Sequence, residues 1–149
     1  MLTRTLLFTA IGFTLTGALA AGAAQSAPPR KAAAPVKPPA VLSTASGVYT
    51  AAQAAKGEQV YMTFCVSCHP AGTYAARDFR DKWNGAPVSK LFDLVIDTMP
   101  KSEPGSLESQ DYVQVISYIL KINGAPPGKT PLPADSAALR KIRLYLPRR

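Results

Sequence analysis

Cys65-Val66-Ser67-Cys68-His69 gathers both cysteines and the only histidine of a 149-residue chain. Three chemistries use such a pentapeptide, and each makes a different demand on the residues around it. A redox dithiol normally heads a helix in a fold that contains strands, and no stretch of this sequence alternates convincingly as a strand. A structural zinc site takes four ligands, and two cysteines with one histidine leave it one soft ligand short. Haem attachment uses every residue: two thiols three positions apart reach the two vinyl groups along one porphyrin edge, and the adjacent imidazole falls beneath the iron. We read Cys65, Cys68 and His69 as the site of one covalent haem c, with His69 as a metal ligand.

Working outward, Thr50 and Gln53 form a capping-box pattern, and residues 51–61 are rich in helix formers, so a helix is expected to run into the Cys65 region. Val88, Leu91, Phe92, Val95 and Ile96 recur at intervals of three and four, which places them on one helical face, and Pro100 stops that helix. The strongest stripe is Tyr112, Val115, Ile116, Ile119 and Leu120, with Ser109 as candidate N-cap, Asp111 in the first turn and Gly124 as the stop. The expected fold is a small all-α domain.

The far side of the iron requires a second ligand, and two methionines are candidates. Met62 stands three residues before Cys65 on the same helix, poorly placed to cross the haem, and is read as core packing. Met99 stands 30 residues after His69, between the second helix and Pro100, which pushes it into extended backbone. Beside an attachment motif Met99 reads as the second axial ligand; taken alone it would be a buried gap-filler.

The flanks have different compositions. Arg4 followed by the uncharged stretch Leu6 to Leu19 and small-residue cleavage patterns reads as a signal peptide over residues 1–26, the other reading being a retained anchor. Residues 27–47 form a Pro/Ala-rich spacer with five prolines within twelve residues. After Asn123-Gly124-Ala125-Pro126-Pro127-Gly128 comes a basic tail over residues 129–149, in which Ala138, Leu139, Ile142, Tyr145 and Leu146 fit a helical face while Ile142, Leu144 and Leu146 fit strand alternation. Its arginines suit an acidic partner, a membrane surface, or a solubilised strap packed on the domain. Roughly 80 residues remain between the flanks, a size at which a cofactor is expected to supplement the core.

Over residues 48–128 the sequence resembles class I c-type cytochromes, small monohaem electron carriers. Gly57 and Tyr61 match that family's helix before the attachment site, the cluster from Val115 to Leu120 its terminal helix, and Thr98-Met99-Pro100 its axial-ligand segment. Phe79-x-x-x-Trp83-x-Gly85 resembles its haem-edge region, so Trp83 reads either as an indole donor to a haem propionate or as a plain core aromatic. One departure is that Pro70 follows His69 directly and the next proline is Pro87, where many members place a glycine-rich loop and a proline whose carbonyl accepts from the histidine's other nitrogen. The closing stretch from Tyr118 to Gly128 is similar to cytochrome subunits that accept electrons from periplasmic quinoprotein dehydrogenases.

The resemblance implies a periplasmic electron carrier rather than an enzyme, with a dehydrogenase as donor and a terminal oxidase or another cytochrome as acceptor. Two other classes are a haem-binding subunit of a dehydrogenase complex and a haem enzyme or sensor with a labile sixth ligand. The formal charge of +8 does not point to nucleic acid, because residues 48–128 carry 7 basic against 8 acidic side chains. The excess lies in the first 47 residues and in the tail, which are the candidates for membrane contact.

Overall fold

A computed structural model describes residues 41–147. The expected signal peptide, most of the spacer, Arg148 and Arg149 lie outside the described residues. A 3-10 turn at Thr44–Ser46 precedes α1 (Ala51–Phe64), α2 (Ala71–Tyr74), α3 (Arg77–Trp83), α4 (Val88–Thr98), α5 (Ser109–Ile122) and α6 (Ser136–Leu139). Among the described residues there are no strands, only isolated bridges pairing Arg143 with Ser43 and with Pro87. The fold is all-α.

The three helices expected from the sequence are α1, from its capping box and helix formers, and α4 and α5, from their apolar periodicity. The Thr50 hydroxyl accepts from the Gln53 amide at 3.1 Å, closing the cap at the head of α1. At α5 the cap position belongs to Glu108 rather than Ser109, and Gly124, at φ 83°, ends the helix with its N–H donating to the Lys121 carbonyl at 3.0 Å. The short helices α2 and α3 carry no apolar stripe long enough to be read. Within Arg77–Trp83 only Phe79 and Trp83 are apolar, one turn apart.

Helices α1 and α5 cross at Gly57. A Cβ built there would stand 1.8 Å from the Gln114 carbonyl oxygen, so only glycine lets the two backbones approach this closely. Tyr61, one turn further along α1, is buried against Val115, Tyr118 and Ile119 of α5. The larger core joins Leu91 and Phe92 of α4 to Tyr112, Val113, Ile116 and Leu120 of α5.

Packing extends on both sides of residues 48–128. Leu132, Leu139, Ile142, Leu144 and Leu146 of the tail are all buried in the main core. The two readings of the tail each describe part of it: α6 is helical, and beyond it Ile142, Leu144 and Leu146 point inward while Arg143 and Tyr145 are exposed. Side chains hold this strap by its backbone. Gln53 donates to the Leu132 carbonyl and accepts from the Leu132 N–H, both at 2.8 Å. The Asn84 carbonyl oxygen accepts from the Leu146 N–H at 2.7 Å, and the Thr44 hydroxyl oxygen accepts from the Tyr145 N–H at 2.7 Å. The strap reading of the tail describes its packing.

Candidate functional site

Helix α1 ends at Cys65, and the pentapeptide continues as a tight turn: the N–H groups of Cys68 and His69 both donate to the Cys65 carbonyl, at 3.2 and 2.9 Å. Cys65 is half-buried, Cys68 is exposed, and neither is in a disulfide. Burial pushes the Cys65 thiol up from its ordinary value, the opposite of the activation that a redox dithiol needs. No cluster of three or more His, Cys, Asp or Glu able to hold a metal ion occurs among the described residues.

Beside the turn lies a cavity of about 580 Å³. Cys65, Cys68 and His69 form one part of its wall, Tyr61, Val115 and Ile119 another, and Leu91, Val95 and Met99 a third. Aromatic and aliphatic carbon dominates the lining. Lys101 is the one charged side chain there apart from the titratable imidazole of His69.

Met99 is the C-cap of α4, extended at φ −133° and ψ 151°, and its peptide to Pro100 is cis. Its N–H closes the helix onto the Val95 carbonyl at 2.8 Å, while its own carbonyl accepts from the Tyr112 hydroxyl at 2.8 Å. The same Tyr112 oxygen accepts from the Leu107 N–H at 3.4 Å, so one buried phenol of α5 spans the loop that carries Met99. A second phenol serves the pentapeptide: the Tyr61 hydroxyl donates to the His69 carbonyl. Burial, with smaller contributions from Tyr74, Cys65 and Tyr118, pushes Tyr61 up to about 12, which keeps it a neutral donor.

Below His69 runs a file of aromatic rings. Tyr74 stands 5.6 Å from the imidazole, Phe79 5.3 Å from Tyr74, and Trp83 6.2 Å from Phe79, centroid to centroid. The Asn123 amide donates to the Tyr74 carbonyl at 2.7 Å and fixes α2 against the end of α5. Trp83 is buried in the main core at the far end of this file and is not part of the cavity wall.

The structure therefore brings Cys65, Cys68, His69 and Met99 to one cavity and leaves Trp83 outside its wall. Met62 is not core packing: it is 58% exposed, because it lies about 100° around α1 from buried Tyr61. The positioning phenols of Tyr61 and Tyr112 escaped the sequence reading as hydrogen-bond donors. Their places on the apolar faces of α1 and α5 were visible, but a hydroxyl's partner is set by tertiary packing.

No curated protein and no solved structure matches the chain. Residues 52–119 match the family model described as cytochrome C oxidase, cbb3-type, subunit III, and every residue of the cavity wall falls within that stretch.

Proposed function

We propose that the protein is an exported, periplasmic carrier of single electrons that holds one haem c. Cys65 and Cys68 would form its thioether bonds, and His69 and Met99 would be its axial ligands. The observation carrying this reading is that these four side chains, from segments separated by 30 residues, line one cavity. The residues fit the group: the lining is almost wholly apolar, as a porphyrin face requires, and both thiols lie on the same turn as the imidazole.

A haem in this cavity supplies one-electron exchange between ferrous and ferric iron. The chain's own residues set how it does so. Tyr61 and Tyr112 fix the backbone at His69 and Met99, and so would hold both side chains at the cavity wall. A thioether favours the reduced metal, and the apolar wall disfavours the extra charge of the oxidised one, so both raise the potential. Were His69 and Met99 both to hold the iron, they would leave it no site for a substrate, which favours a carrier over an enzyme. Exposed Cys68 puts the thioether edge at the surface, where brief contacts with a donor dehydrogenase and an acceptor would exchange electrons.

Optical spectra of the oxidised protein with and without Met99→Ala test the assignment. The variant should lose the methionine-to-iron band and gain cyanide and carbon monoxide binding. An unchanged spectrum would sink the Met99 role, and haem that is extracted by acidified solvent from the parent chain would sink the covalent one.

A further inference from the structure

The segment 142–146 lies between two others. On one side the Arg143 N–H donates to the Leu42 carbonyl at 2.8 Å and the Thr44 N–H to the Arg143 carbonyl at 2.9 Å. On the other, the Val88 N–H donates to the Ile142 carbonyl at 2.9 Å and the Leu144 N–H to the Ala86 carbonyl at 2.8 Å. With Ile142, Leu144 and Leu146 turned into the core, the outward positions of this ribbon are Arg143 and Tyr145, the latter 55% exposed. Beside them Val41 is 71% and Leu42 48% exposed. Arg140 and Lys141, in the turn that leads into the ribbon, and Lys90, in the first turn of α4, are exposed as well.

The charge here has one sign. Residues 41–46, 84–90 and 140–147 contain four cations and no acidic side chain. The bias continues along the sequence, where no acidic residue precedes Glu58 and where Arg30, Lys31, Lys37, Arg148 and Arg149 add cations before and after the described residues. None of the ribbon residues lines the cavity, so this surface is separate from the redox site.

We propose that this ribbon docks on an anionic phospholipid surface. Arg140, Lys141 and Arg143 engage the headgroups, and Val41, Leu42 and Tyr145 enter the interfacial layer. Cations alone would suit an acidic protein equally. Exposed aliphatic side chains and a tyrosine interleaved with them are what an interfacial contact uses, since part of its affinity comes from apolar burial. No helix among the described residues is long and apolar enough to cross a membrane.

The test uses the full, haem-loaded chain mixed at low salt with phosphatidylcholine vesicles, with and without one-quarter phosphatidylglycerol. Partition onto the anionic vesicles should fall about a hundredfold in R140Q/K141Q/R143Q, each cation near such a surface being worth roughly fivefold. It should fall several-fold in V41S/L42S/Y145S, and amide exchange in residues 41–46 and 140–147 should slow only on the anionic vesicles. An unchanged Soret band in both variants shows that the domain is intact. Parent-like partition by R140Q/K141Q/R143Q overturns the proposal, as does amide protection that ignores the phosphatidylglycerol. Loss in that variant with parent-like binding by V41S/L42S/Y145S also overturns it, because the contact is then one of charge alone, with no apolar insertion.

Discussion

The Tyr112 hydroxyl holds the Met99 loop by donating to the Met99 carbonyl and accepting from the Leu107 N–H, and its ring is buried in the main core, so the two roles can be separated. Tyr112→Phe keeps the ring and removes the donor. We expect a loss of about 1 kcal/mol in chemical denaturation, the usual net worth of such a bond, and, for the proposed Met99 ligation, readier competition by cyanide than in the parent. Tyr61 makes a different prediction, through its proton. Its unfolded value is the ordinary 10.0 and its folded value about 12. Between those values the folded phenol keeps a proton that the unfolded chain releases. Its contribution is therefore complete below pH 10 and is lost as pH rises through 12. Denaturation midpoints should fall across that alkaline window, and Tyr61→Phe should flatten part of the slope, leaving the share from Tyr49 and Tyr74, which burial also raises. The cavity residues Cys65, Cys68, His69 and Met99 could be picked out in the sequence because their chemistry belongs to the residue types and their spacing. Trp83 could not be placed in the same way. An indole has the same composition at a cavity wall as in a core, and the intervening Phe79 decides which it meets.

Among the elements, α1 and α5 depend on each other most. At Gly57 the added methyl of Gly57→Ala would meet backbone, which cannot swing aside as a side chain can. The helices must separate, at a cost of about 1–3 kcal/mol or more, and thermal denaturation should show the Tm falling. Gly72 in α2 is the control: a Cβ there meets nothing within 4 Å, so Gly72→Ala should be neutral or slightly stabilising. Helices α4 and α5 were readable because each carries enough turns for a face to repeat, and α1 because of its capping box and its run of helix formers. Helix α2 and the strap were not, since four residues cannot establish a period, and one tail sequence holds first a helical turn and then an extended run. What settles the strap's conformation lies far away in sequence: the backbones of residues 42–44 and 86–88 pair with residues 142–144, and the side chains of Gln53, Asn84 and Thr44 hold Leu132, Leu146 and Tyr145.

For the molecule as a whole, that strap belongs to the core. Five of its aliphatic side chains are buried, each worth about 1.5–3 kcal/mol, against a typical domain stability of about 5–15 kcal/mol. A chain stopped after Gly128 should therefore fail to fold, read as loss of protease resistance and of a cooperative unfolding transition. Residues 142–146 are also made well after the pentapeptide, and they close the core between segments 42–44 and 84–88. During synthesis the walls of the cavity thus exist as sequence before the fold can shut. The strap completes the core without covering the cavity, so Cys68 stays exposed and reachable after the chain has folded.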